Sequence, residues 1–323
     1  MHRDNSRPTH WRSPGDATVV WLLIGLAGGL GLQGCGPEDV ASSSVMAPDP
    51  PSSPGTIALD ELPEVPPPSV EHQTYDLPTS RVQVVTVPPE SSRQIKVAVS
   101  ENLDTLTTLA TETEAIAAIN AGFFDPQNGL TTSSVLLDGA IVADPQQNPR
   151  LMENPDLQAY LPAILDRSEF RIYACGDEVL YDIVKRSAPI REGCLLTGAV
   201  GAGPQLLPTM TGYEEGFFAD NDAGQRGRDA LGSQMLNARS AVGLKLDGTV
   251  VLAIATQLPE VASRGLTLPD MANFLDSLGV ESALNLDGGS STGLYFEGVT
   301  YLGRLDETGE PIERPIKSIL LVR

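Results

Sequence analysis

The residues best placed for chemistry lie in one short stretch, Ala283-Leu284-Asn285-Leu286-Asp287-Gly288-Gly289-Ser290-Ser291-Thr292-Gly293. An apolar run ends in a carboxylate, and two glycines and three hydroxyl residues follow at once. This pattern reads as a buried strand entering a tight loop, where a rigid element fixes the side chain at its end. Gly288 and Gly289 would let backbone N–H groups turn inward and form a concavity suited to an oxyanion. The same Asp-Gly pair also suits a plain hairpin turn. Three other patches offer polar groups beside glycine. Asn120 and Asp125 flank a Gly122-Phe123-Phe124 turn. Gly201-Ala202-Gly203-Pro204 permits close approach of a ligand. Arg239 opens an apolar segment. Each has a structural reading as well: a capped turn, aromatic core, positive φ at glycine, or an arginine paired with a structural acid.

Absences narrow the chemistry further. The chain has only three histidines and three cysteines. His2 and His10 fall in the N-terminal leader, and His72 adjoins a proline-rich segment. A Ser-His-Asp triad would need His72 to reach the core. Two remaining thiols with almost no histidine cannot complete a zinc site. No P-loop or dinucleotide fingerprint is present, and no cofactor is expected. Asp220, Asn221 and Asp222 lack the spacing of a calcium loop. The formal net charge of -21 argues against nucleic acid as a partner. Carboxylates, arginine, amides and backbone groups remain.

The N-terminus reads as an address. Arg3, Arg7 and Arg12 precede an apolar run over residues 17–32, shorter than the ~20 residues of a spanning helix and suited to a signal peptide. The run ends at Leu32-Gln33-Gly34-Cys35, which resembles a bacterial lipobox with Cys35 as the lipidated first mature residue. Gln33 stands where a small residue is usual. Residues 1–34 are thus expected to be a lipoprotein signal peptide. Residues 35–72, rich in Pro and Ser, form a disordered tether, and residues 73–323 the folded domain. The expected location is the bacterial envelope, lipid-anchored outside the cytoplasm. Cys175 and Cys194 would form one disulfide there.

Hydrophobic patterning supplies the elements that must position the site. Residues 81–87 and 94–99 read as neighbouring strands, and 103–112 as a helix capped by Asn102 or Ser100. Residues 115–124 form an apolar strand, and 135–142 a hairpin turning at Asp138-Gly139. The Pro- and Gln-rich segment 144–163 reads as a surface insertion. Residues 170–175 and 179–184 pair, and 212–237 are irregular. Residues 239–255 form a hairpin turning at Asp247-Gly248. The clearest helix is 268–278, with Thr267 and Asp270 in a capping box and Gly279 at its end. A strand over 280–286 feeds Asp287, and short strands follow at 293–296, 299–303 and 316–321. Many hairpins and few helices give a single α+β domain with a mixed, mostly antiparallel sheet core.

Four motifs in this order resemble the phosphodiester glycosidase family: Asn-Ala-Gly-Phe-Phe at 120–124, Gly-Ala-Gly-Pro-Gln-Leu at 201–206, Ala-Arg-Ser-Ala-Val-Gly at 238–243, and Asn-Leu-Asp-Gly-Gly-Ser-Ser at 285–291. The resemblance covers roughly residues 75–323. Ser240 stands where threonine is common, and Ser290 where a third glycine is frequent. The resemblance implies hydrolysis of a sugar-1-phosphate diester at the anomeric carbon and leaves the sugar open; with the export signal, the expected substrate is a phosphorylated envelope or extracellular glycan such as an exopolysaccharide.

On that reading Asp287 stabilises or captures the positive charge that develops on the sugar ring. Arg239 clamps the phosphate through two parallel donors, and Asp125 is a second carboxylate. Asn120, Gly122, Gly201, Gly203, Asn285, Gly288, Gly289 and Ser290 would contact substrate. The rival expectation is a glycan- or cell-wall-binding lipoprotein that uses the same polar groups without turnover. A purely structural envelope protein ranks last, because four polar motifs would then coincide by chance.

Overall fold

The computed structural model describes residues 68–262 and 264–323. The expected signal peptide, Cys35 and nearly all of the expected tether lie outside the described residues. The first described strand, Glu71–Asp76, begins just ahead of the boundary expected at residue 73.

Three antiparallel sheets carry the fold. The first runs Glu71–Asp76, Ser80–Val87, Val250–Gln257, Arg239–Lys245, Val280–Asn285, Gln205–Leu207 from edge to edge. The second runs Val299–Leu302, Gly293–Phe296, Ala117–Asn120, Ile316–Val322, Ile95–Asp104. The third runs Ala140–Ala143, Val135–Leu137, Leu195–Gly201, Ser168–Cys175, Glu178–Lys185. A small ribbon, Phe218–Asp220 with Arg226–Asp229, stands apart. Every pairing between these strands is antiparallel.

All three sheets share one apolar core, with Val242, Leu252 and Leu284 from the first, Ile119, Leu294 and Leu320 from the second, and Val135, Phe170 and Val200 from the third. The helix Leu268–Ser277 covers the other face of the first sheet through Leu268, Met271 and Leu275. The helix Leu106–Glu112 covers the other face of the second through Leu106, Leu109 and Ala110. Sandwiching explains why residues 250–255 are buried without alternation: a strand covered on both faces needs apolar side chains throughout. Each buried Leu or Val contributes about 1.5–3 kcal/mol.

Local signals set several boundaries. Thr267 and Asp270 form the expected reciprocal capping box, and Gly279 takes φ 77° just beyond the helix. Asp138 and Gly139 both take positive φ in their hairpin turn. Cys175 and Cys194 form the expected disulfide.

Other expectations change. The strand beginning at Ile95 pairs with Ile316–Val322 in the second sheet, whereas Ser80–Val87 lies between Glu71–Asp76 and Val250–Gln257. Alternating patterns mark strands but do not specify partners. That strand also runs on to Asp104, so the next helix starts later and Thr105 caps it, in place of Asn102 or Ser100. The apolar run at 115–124 yields only the strand Ala117–Asn120. The segment 144–163 holds short helical turns and buries Pro145, Asn148 and Leu151, so it is packed as well as superficial.

Three crossings between sheets position the polar motifs. The chain leaves the second sheet at Asn120 for the third, leaves the third at Gly201 for the first, and leaves the first at Asn285 for the second. Backbone bonds lock the crossings together. Asp287 N donates to Ala121 O (2.9 Å), Gly203 N to Asn285 O (2.9 Å), and Gly289 N to Ala238 O (2.8 Å).

Candidate active site

Asp287 stands two residues beyond the strand Val280–Asn285, on the path to the second sheet. Its backbone is held from both sides: its N–H donates to Ala121 O, and its carbonyl accepts from the side-chain amide of Asn120. The residue keeps a solvent-accessible edge on a pocket, while neighbouring atoms crowd its carboxyl. Desolvation raises its pKa to about 6, opposed by the Ser291 hydroxyl, the Arg314 charge and the Gly288 N–H. Ser291 acts by proximity, because its buried Oγ has no hydrogen-bond partner among the described residues. Thr292 Oγ1 is likewise buried without a partner.

The pocket is about 180 Å³, below the ~300 Å³ at which drug-sized sites begin, and suits a ligand of about one sugar ring. Asp287, Gly288 and Gly289 form one side, and Asn237, Arg239 and Phe123 others. The two residues expected to meet, Asp287 and Arg239, thus border the same cavity. The Arg239 guanidinium, however, is occupied. Nε donates to Leu266 O (3.1 Å), Nη1 to Leu231 O (3.1 Å), and Nη2 to Gly232 O and Met235 O (both 2.8 Å). Four of the five N–H donors of an arginine are therefore directed at main-chain carbonyls of residues 231–235 and of Leu266. Burial lowers its pKa to about 10, partly offset by Asp229. Arg239 builds the wall and leaves no fork for a phosphate.

The other expected contacts divide in the same way. Asn120 is buried, and its Oδ1 accepts from Ser240 Oγ (2.7 Å) and Gly293 N (3.1 Å). Asn120 is therefore a tie between chain segments, and Ser240 supplies the one hydroxyl that the tie needs. Asn285 lines the pocket, and its Nδ2 donates to Gly203 O (2.8 Å). Gly122, Gly201 and Gly203 serve close packing. A Cβ on Gly122 would stand 2.9 Å from Ser133 Cβ, and one on Gly203, at φ 116°, would stand 2.2 Å from Glu215 Oε2. Gly201 N donates to Ser134 O (2.7 Å). Buried Glu215 in turn accepts from Ser168 Oγ (2.8 Å), Gln205 N (3.2 Å) and Thr211 Oγ1, which anchors the Gly203 crossing. Gly289 N–H, expected to face a ligand, is directed to Ala238 O.

Asp125 is not among the residues bordering the pocket. Its Oδ2 pairs with Arg150 Nε at 2.6 Å and its Oδ1 accepts from Gln127 N, so it holds its own loop. His72 stacks on Tyr301, with ring centroids 4.8 Å apart, also away from the pocket. The Asp220–Asp222 turn is closed by Asn221 Oδ1, which accepts from Ala223 N and Gln225 N. Among the described residues no cluster of three or more His, Cys, Asp or Glu could hold a metal ion.

Three contributors escape the sequence reading. Arg314 donates through Nη1 to Ser290 Oγ (2.9 Å), lies over Phe124 at 4.7 Å, and acts on Asp287 through its charge. Asn237 borders the pocket, and Arg304 approaches Gly289 from outside it. None sits in a glycine-rich or periodic pattern; scarcity of cations in an acidic chain is the only signal they carry. Phe124 is core, as its aromatic character suggests, whereas Phe123 packs on the core and also faces the pocket.

A family model described as "Phosphodiester glycosidase" matches residues 113–323. No curated protein matches the chain significantly. Among solved structures, the catalytic domain of zebrafish N-acetylglucosamine-1-phosphodiester alpha-N-acetylglucosaminidase, auto-inhibited by its pro-peptide, aligns with TM-score 0.54 and 17% identity over 79% of this chain and 81% of that one. A hypothetical protein from Synechocystis aligns with TM-score 0.50 and 18% identity over 78% of this chain, which spans only 61% of that protein. At such identities these structures share the fold.

Proposed function

The chain belongs to the phosphodiester glycosidase family, and on that premise we propose that it hydrolyses the anomeric C–O bond of a sugar-1-phosphate diester. The observation that carries the proposal is Asp287, a carboxylate with a pKa near 6 on the edge of a pocket of monosaccharide scale. Near neutral pH most of it is ionised. As the anomeric bond lengthens, the ring gains positive charge, which an adjacent carboxylate stabilises or captures. The bonding electrons leave with the phosphate oxygen. Water supplies the hydroxyl that ends on the anomeric carbon, and its proton passes to solvent or to the departing group. A phosphate leaving group is weakly basic and needs little acid assistance, which suits a pocket without histidine. Phe123 offers an apolar face to the ring, and Asn237 offers its Nδ2 to the ring's hydroxyls.

The test is turnover of a methyl N-acetylglucosamine-1-phosphate diester and its analogues with other sugars. Asp287→Asn should reduce kcat about 10³-fold or more while leaving a folded protein. Near-normal turnover in the variant removes Asp287 from the mechanism. Binding of these diesters by the wild type without any turnover would favour the glycan-binding alternative.

The same reading makes the protein an exported, lipid-anchored enzyme of the bacterial envelope. Support comes from the leader with Arg3, Arg7 and Arg12, from Cys35, and from the Cys175–Cys194 disulfide, which suits an oxidising compartment. Incorporation of labelled palmitate, abolished in Cys35→Ser, is the expected result; no incorporation in the wild type would dismiss the anchor.

A further inference from the structure

We infer that Arg304 is the phosphate-binding cation of this site, and that the groove beside it receives an alkyl or similarly apolar aglycone. The inference rests on the glycosidase reading for the place of the sugar. A phosphate joined to the anomeric carbon must lie at the rim of the Asp287 pocket. Arg239 has its donors directed at loop carbonyls, and Arg314 is fixed between Ser290 and the Phe124 ring. Arg304 is different. It is exposed, and among the described residues its guanidinium makes no hydrogen bond or ion pair. Its Nη1 comes within 3.7 Å of where a Cβ would stand on Gly289, a residue of the pocket wall. A free guanidinium fork at that place matches two oxygens of a phosphodiester.

Arg304 also lines a second cavity, an open groove of about 780 Å³. Arg304 therefore stands between the groove that it lines and Gly289 of the pocket wall, and Met235 and Leu236 of the groove are followed in sequence by Asn237 of the pocket. Met235, Leu236, Leu305 and Ile312 give the groove apolar walls, and Met235 is 69% exposed. Beyond Arg304, the charged residues on its border are Asp306, Glu307 and Arg264, a net negative balance that disfavours a second anionic group beyond the first phosphate. One anionic centre followed by an uncharged apolar chain fits this surface. A polyanionic glycan does not.

Hydrolysis at the anomeric carbon would release the aglycone as its phosphate monoester, so n-hexyl phosphate imitates the bound product. The experiment is calorimetric titration of the full chain with inorganic phosphate and with n-hexyl phosphate. For the wild type, n-hexyl phosphate should bind about tenfold or more tightly than inorganic phosphate, because methylenes leave water on binding. Arg304→Gln should weaken both by about tenfold, the loss of a charge-assisted bidentate contact. Met235→Ser should lose the hexyl advantage and keep phosphate binding. Unchanged binding of both probes by Arg304→Gln, no advantage for the hexyl group, or no binding of either probe by the wild type would each overturn the inference. Diester turnover is measured separately. Turnover with wild-type affinities in Arg304→Gln rejects this site and keeps the glycosidase. The binding pattern without turnover keeps an alkyl phosphate site and rejects the glycosidase.

Discussion

The side-chain amide of Asn120 donates to the main-chain carbonyl of Asp287, across 167 positions of sequence. The same amide accepts from Ser240 and from Gly293. One buried residue thereby joins the first and second sheets at the point where the carboxylate is presented. Asn120→Ala would leave three polar groups without partners. We expect a loss of about 2–4 kcal/mol in urea unfolding, since each buried orphan costs roughly 1–3 kcal/mol and some relaxation is available. A loss below about 1 kcal/mol would show that the tie is dispensable.

Asp287 should weaken the fold that holds it. Its carboxyl titrates near pH 6 in the folded chain and near 3.8 when unperturbed. Between those values the folded state binds more protons, so its stability falls as pH rises through the window. The cost is absent below about 3.8 and complete above about 6. Asp287→Asn cannot ionise and should be more stable at pH 7.5 by about 1–3 kcal/mol, the partial exposure of the group reducing the full linkage value. Unfolding curves at pH 4 and pH 7.5 check this: the advantage of the variant should shrink toward pH 4. A pH-independent difference would mean that desolvation of the carboxylate is not its source.

Ser291 offers a finer probe of the same group. Its hydroxyl favours ionised Asp287 by proximity and has no hydrogen-bond partner among the described residues. In Ser291→Ala the acidic limb of kcat/KM should move to higher pH, with folding stability unchanged or about 1 kcal/mol higher because an orphan hydroxyl is gone. A limb that stays in place would separate Ser291 from the chemistry.

Arg239→Lys distinguishes a wall from a clamp. A lysine has three N–H donors on one atom and cannot reach four carbonyls spread around a planar fork. Thermal denaturation should show a loss of about 2–3 kcal/mol, with faster amide exchange across residues 231–237. Unchanged stability with only KM raised would restore Arg239 as the phosphate clamp.

Legibility followed the range of the interactions. The helix Leu268–Ser277, its capping box and the Asp138-Gly139 turn were readable because their causes lie within a few residues. The place of Asp287 just beyond a strand was readable because a strand followed by glycines is also local. The partner of Ser80–Val87 was not readable, because several alternating segments would pair with it equally well. Nor was the packing role of Gly203, which depends on Glu215 reaching it from another loop.

The order of residues alone determined that a carboxylate, amides and a guanidinium would sit at or beside strand ends in a mostly antiparallel β-rich chain, because type, spacing and periodicity are properties of neighbours. Only the folded arrangement decided which cation is available. Arg239 and Arg304 are the same side chain chemically, yet one faces three carbonyls of residues 231–235 and that of Leu266, and the other is exposed beside Gly289. A donor's availability depends on the acceptors that surround it in space, and these depend on how residues 231–235 fold back over Arg239 and on Leu266 from a separate segment, neither of which residue type announces.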